Sequence, residues 1–193
     1  MRRLSRTVCW LVMLSAVAVL SVHAQSPQER LGVPGPVVFQ GTTFAFAWSS
    51  KPSPGYFKQE YLPAGQTLER YEQMFLVEAS TSATPEGAAA AQLAMLKKRK
   101  GSDPTVNWDI IRNNATGEII LDFIVSDPRA EFVEWNAYRY AKLGKDGGVA
   151  LYAISRRGYR DKAREFFVAL KQNRPAAIRA LATFDAPALK PKP

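Results

Sequence analysis

Among 193 residues there is one cysteine, Cys9, and one histidine, His23. Both fall within residues 1–24, which read as an export signal. Arg2, Arg3 and Arg6 make a basic start, VCWLVMLSAVAVL an apolar core, and Val22-His23-Ala24 supplies small residues for cleavage before Gln25. The 169 residues that remain hold neither side chain. That excludes from the mature chain a disulfide, a cysteine nucleophile, a zinc–thiolate cluster and a histidine-assisted triad. No second apolar run reaches spanning length, and the first is short for a membrane helix. Cys9 precedes most of that run, which is too early for an acylated lipoprotein cysteine. The expectation is a periplasmic or secreted chain with no transmembrane segment after processing. No calcium-loop spacing, nucleophile-elbow motif or convincing acidic pair is visible, so no metal, cofactor or catalytic residue is assigned.

What is present is strand alternation. Thr105–Asn113, Glu118–Ser126, Glu131–Leu143 and Val149–Arg157 read as four strands, with Ile119, Leu121, Phe123 and Val125 on one face of the second. The links between them carry turn chemistry: Asn113 to Gly117, Asp127-Pro128, and Gly144 to Gly148. Such short links make the neighbours antiparallel. Upstream, Val37–Trp48, Phe57–Leu62 and Met74–Ala79 read as further strands, with Gly41-Thr42-Thr43 interrupting the first. Ser49–Gly55 reads as a loop, and Thr67–Glu72 as a short helical turn. Thr84-Pro85-Glu86 is a helix start, with a capping hydroxyl, a proline in the first turn and an acid at the positive end of the dipole; the helix runs to Lys100. Tyr159–Asn173 is amphipathic through Ala163, Phe166, Phe167 and Leu170, and Pro175–Ala182 is a shorter helix. Residues 25–36 read as a flexible linker, 37–184 as one α+β domain, and 185–193 as a disordered tail.

This order predicts a mostly antiparallel sheet covered by two principal helices. The run EYLPAGQTLERYEQMFLVEA ahead of an alanine-rich helix, and a meander closing into FFVALKQN, resemble the PsbP-like family of small α/β sandwiches and exported bacterial proteins of similar layout. The resemblance covers about residues 37–183 and implies a non-enzymatic accessory module.

Charge gives the first candidate site. The chain carries 26 basic and 17 acidic residues, for a net +9, or +6 once the three signal arginines are gone. Lys97, Lys98, Arg99 and Lys100 close one helix; Arg156, Arg157, Arg160, Lys162 and Arg164 cluster at the junction of strand and next helix, with Arg156 and Arg157 on opposite faces. Helix-end capping accounts for the first group and a solvated helix face for the second. If the helices lay side by side, Lys97 to Lys100 with Arg160 and Arg164 would form one positive surface for an acidic envelope protein or an anionic membrane. Nucleic acid is not expected as a partner, because the chain is exported and carries no recognisable binding motif. The second candidate is a polar groove of Glu134, Asn136 and Tyr138 on the open face of the sheet, which Glu60, Tyr61 and Glu78 would join if their strand lay alongside. On the opposite face, Arg139 falls among apolar neighbours and requires a carboxylate or an edge.

Three classes of function follow: an exported non-catalytic accessory protein acting through an envelope partner, a module binding an acidic or amphipathic small ligand between sheet and helix, and a carboxylate-dependent hydrolase. The signal reading is checked by mass spectrometry of the exported protein. The expected chain begins at Gln25; an intact Met1 or a lipid-modified Cys9 contradicts it.

Overall fold

A computed structural model describes residues 27–129, 131–145 and 147–192. Residues 1–24, expected as an export signal, with Cys9 and His23, lie outside them. Eight antiparallel strands form one sheet: β1 (Val37–Phe39), β2 (Thr42–Ser53), β3 (Tyr56–Leu62), β4 (Gln73–Ser80), β5 (Asn107–Asn113), β6 (Glu118–Asp127), β7 (Phe132–Lys142) and β8 (Val149–Tyr159). Their spatial order is β1-β2-β3-β4-β8-β7-β6-β5. Two antiparallel meanders therefore meet where β8 pairs with β4, from Gln73↔Arg156 to Ser80↔Val149.

The expected architecture is overturned. The mass of the molecule is a half-barrel sheet with two α-helices among the described residues, not a sheet covered by two principal helices. Helix α1 (Pro85–Lys100) and helix α2 (Ala163–Ala182) both pack on β6, β7 and β8, but on opposite faces. Parity along β8 shows this: Leu151 and Ala153 join α1's Ala89 and Leu96 in one core, while Tyr152 and Ile154 join α2's Ala177 and Leu181 in the other. Among the described residues no helix lies over β1–β3. The α2-side core there is closed by the chain ends, with Leu31 and Val33 buried and Phe184 and Leu189 packed against them.

Those ends correct two further expectations. Over its described residues the 25–36 stretch is no free linker, because Glu29 accepts hydrogen bonds from the backbone N–H groups of Leu31 and Val33. The 185–193 stretch is likewise no loose tail. The Lys190 and Lys192 N–H groups donate to the Leu31 and Arg30 carbonyls, at 2.7 Å each, and Tyr152 Oη donates to the Pro187 carbonyl at 2.6 Å. The two ends tie each other down through backbone bonds, which composition does not register.

Local reasons account for the rest. Thr84 caps α1 by accepting from the Gly87 N–H, with Pro85 in the first turn, and the helix stops at Gly101. The strand β2 runs on to Ser53 where a loop is expected, and residues 67–72 form bends, not a helical turn. The two expected C-terminal helices are one, with Pro175 in its interior and a 3₁₀ turn, Arg160–Lys162, ahead of it. Gly158 admits that helix: a Cβ there would stand 2.4 Å from Phe166 Cβ, so any larger residue pushes α2 off β8. Arg139 finds its carboxylate in Glu118, at 2.8 Å, and donates to the Leu181 and Phe184 carbonyls at the end of α2.

Strand and helix periodicity assigns Trp108, Phe123, Trp135 and Phe166 to buried faces; Phe123 and Trp135 are buried, whereas Trp108 and Phe166 are half-buried. Trp135 Nε1 donates to the buried Asp122, whose other oxygen accepts from Arg174 Nε at 2.7 Å. Truncating such a residue removes packing and leaves a carboxylate short of a donor. Trp135→Ala is expected to lose about 3–5 kcal/mol in urea unfolding; a loss under about 1 kcal/mol contradicts its place in the core.

Candidate functional site

The face that carries α1 holds most of the polar chemistry. Antiparallel register places Lys58 of β3 opposite Glu78 of β4, and Glu134 of β7 opposite Arg157 of β8. The expected groove of Glu134, Asn136 and Tyr138 does not exist as one open surface. Glu134 and Asn136 sit in a closed network. The Glu134 carboxylate accepts from Tyr71 Oη at 2.8 Å and Asn136 Nδ2 at 3.1 Å, and pairs with Arg157. Ser155 Oγ in turn donates to Asn136 Oδ1. Arg157 is stacked between the rings of Tyr71 and Phe132, at 3.9 and 4.0 Å. These bonds tie the loop before β4 onto β7 and β8, so the network fixes structure.

Tyr138 belongs elsewhere. With Tyr140 and Leu151 it floors a cleft of about 430 Å³ between the sheet and α1, walled by Ala88, Ala91 and Met95 of the helix. Alanine at the helix surface leaves this space; a larger side chain would fill it. At the opposite wall Lys58 Nζ stands 3.1 Å from Glu78 Oε1, and Tyr56 Oη donates to Glu78 Oε2 at 2.5 Å. Burial pushes the Tyr138 phenol well above its ordinary value, with the charges of Glu78 and Glu134 adding to it. The Tyr56 and Tyr140 phenols are raised for the same first reason, reinforced by Glu78. The tyrosines are therefore neutral hydrogen-bonding groups at any physiological pH. The cleft is thus an apolar slot with one ion pair and three phenols along it, the mixture that orients a ligand with distinct apolar and polar ends.

Glu60 lies between the two polar groups. Burial raises its carboxyl, Lys58 lowers it, Glu78 raises it, and Arg157 and Glu134 pull in opposite directions; the net shift is upward. The sign fixes a prediction. A carboxyl with a raised folded pKa costs stability once ionised and costs nothing below its unfolded value, about 4.3. Glu60→Gln is therefore expected to stabilise the protein at about pH 7.5, by roughly 0.5 kcal/mol given solvent screening of a half-exposed group, with the gain vanishing near about pH 4. Urea unfolding at both pH values checks it; an equal effect at both contradicts the shift.

The basic candidates separate. Arg99 is engaged, with Nε 3.1 Å from the buried Asp103 and Nη2 donating to the Ser126 carbonyl. Lys100 lies over the Trp108 ring at 5.1 Å, and Arg160 pairs with Glu131. Lys97, Lys98 and Arg164 are exposed. The helices do not lie side by side, so the single surface expected of them is not formed in that way. Their basic ends instead flank the β6–β7 turn from either face, Arg99 bonded to Ser126 and Arg160 to Glu131. Sequence reasoning missed Lys58, Tyr56, Tyr71 and Arg157 as members of the polar face, because the register that opposes Lys58 to Glu78 and Arg157 to Glu134, and the side-chain bonds of Tyr56 and Tyr71 to those carboxylates, are set by tertiary pairing. Among the described residues no group of histidine, cysteine, aspartate and glutamate is arranged to hold a metal.

A model of an uncharacterised bacterial family matches residues 31–186, and the chain belongs to that family. The match does not carry the PsbP-like relationship with it. The chain is also similar to a glucose-6-phosphate isomerase of Laribacter hongkongensis (strain HLHK9), 32% identical over 130 residues. That alignment takes in 60% of this chain and 23% of the isomerase, so the chain spans about a quarter of the relative it matches. No solved structure matches.

Proposed function

We propose that this chain is an exported, non-catalytic binding protein of the bacterial periplasm or envelope, and that it holds a small amphipathic ligand between the sheet and α1. The observation that carries the reading is the cleft of about 430 Å³ whose apolar floor and helix wall end at Lys58, Glu78 and Tyr56. Its size lies within the range of small-molecule sites, roughly 300–1,000 Å³. An apolar tail would lie against Leu151, Met95 and the alanines, and an acidic head would reach Lys58, drawing it from Glu78. The export signal gives the compartment. The isomerase activity named for the relative is set aside, because the matched stretch is 23% of that protein.

Laurate, a single-chain acid, is the probe. Calorimetry is expected to show saturable binding that Ala91→Trp abolishes and Lys58→Met weakens by about tenfold, the worth of one charge-assisted hydrogen bond. Laurate binding unchanged by Ala91→Trp contradicts the site.

A second reading, an accessory protein acting through an acidic envelope protein or an anionic membrane, is favoured by the exposed Phe167 and Val168 of α2 near Arg164. Charge of this kind steers association and is screened by salt. Replacing Lys97, Lys98 and Arg164 by glutamine would then weaken binding to anionic vesicles without lowering stability.

A further inference from the structure

On the other face of the sheet, a cleft of about 460 Å³ opens between the β1–β2 hairpin and α2. Arg156 and Gln73, directly opposite each other on β8 and β4, form its floor. Gln40 and Thr42 stand on the hairpin side, and Phe166 and Asn173 on the helix side. Arg156 differs from the arginines around it. Arg157 has Glu134, Arg139 has Glu118, and Arg174 has Asp122. Among the described residues Arg156 makes no ion pair. One Nη donates to the neutral Gln40 Oε1 at 2.7 Å, the guanidinium lies 5.7 Å from the Trp135 ring, and its Nε is buried without a hydrogen-bond partner. Burial lowers its pKa, with no neighbouring carboxylate acting against that. A cation held this way is unfavourable to the fold unless something else brings the negative charge.

The surroundings specify what that would be. Gln40, Gln73 and Asn173 offer neutral amides and Thr42 a hydroxyl, groups that bond an oxyanion; Arg157 and the exposed Glu72 also line the cleft, so two cations stand there against one carboxylate. Gln40 and Gly41, both at positive φ, make the two-residue turn between β1 and β2, and the Gln40 side chain reaches Arg156 from it. The Nη groups of Arg156, one of them on Gln40, are the donors that would meet a carboxylate or phosphate. We propose that this cleft is a second ligand site, for a small molecule bearing a carboxylate or phosphate group, with Arg156 as its counter-ion and Gln40, Gln73 and Asn173 bonding the remaining oxygens. It is separate from the α1-side cleft, and its failure would leave that reading untouched.

The site is tested by thermal unfolding in inorganic phosphate, acetate or chloride at matched ionic strength, on the wild type and on Arg156→Gln. In wild type, phosphate or acetate is expected to raise Tm above the chloride value, and which of them does so identifies the head group. Arg156→Gln is expected to melt no lower than wild type in chloride, since it removes an uncompensated charge, and to lose the anion-dependent rise. Asn173→Trp, on the exposed wall of α2, fills the cleft without disturbing the sheet and should abolish the same rise. Wild-type Tm identical in all three salts, or a full rise retained by both variants, overturns the proposal. Arg156→Gln melting well below wild type in chloride also overturns it, because that marks Arg156 as a structural residue.

Discussion

The pairing of β8 with β4 is the constraint on which the rest depends. Without it the chain is two separate antiparallel meanders, β1–β4 and β5–β8, each with an unpaired edge. Joined through eight residue pairs, they become one sheet with β8 near its middle. Residues Val149 to Ser155 are then all buried, four of them on the face that carries α1 and three on the face that carries α2. Both helices pack on this strand and its neighbours. Both clefts open beside it, one along each helix. Loss of this pairing would release both faces together, since no other contact spans the two halves of the sheet so extensively.

How much of this was legible follows from which contacts are local. The β5–β8 meander was read to within a residue or two, because period-two alternation and short turns are local properties. The start and end of α1 were equally plain, from Thr84-Pro85 and Gly101. The β4–β8 pairing was not legible, since it joins segments separated by α1 and three strands, and nothing in either strand names its partner. That one omission propagated. A sheet read as having one buried side put Glu134, Asn136 and Tyr138 on an open face and allowed both helices to share the other. The run VALYAISRRG held a clue, because continuous apolarity marks a strand covered on both sides, as alternation marks one covered on a single side.

Composition misled at the ends for a related reason. The prolines and glycines of residues 25–36 and the prolines after residue 185 are typical of linkers, but those residues pair with one another and cover the β1–β4 half that neither helix reaches. Backbone-to-backbone bonds carry no side-chain signature. Pro175 misled in the opposite direction: it reads as a break between two helices, yet α2 continues through it. Its second half is anchored by Ala177 and Leu181 in the core and by Arg139 on the terminal carbonyls. Tertiary anchoring on both sides outweighs one missing hydrogen bond.

Arg156 and Arg157 show how a one-residue step on such a strand separates structure from binding. Adjacent residues point to opposite faces, so two identical side chains meet different surroundings. Arg157 meets Glu134, Tyr71 and Phe132, and its charge is neutralised and stacked. Arg156 meets amides and an indole, and its charge is not neutralised. If stability alone shaped the α2 side, an apolar residue at position 156 would pack against Trp135 and Phe166 at no electrostatic cost. The same strand fully pairs a cation on one face and leaves the next without a counter-ion on the other. That asymmetry singles out the Arg156 cleft, because the fold demonstrably can supply a carboxylate to an arginine on β8 and does not do so here.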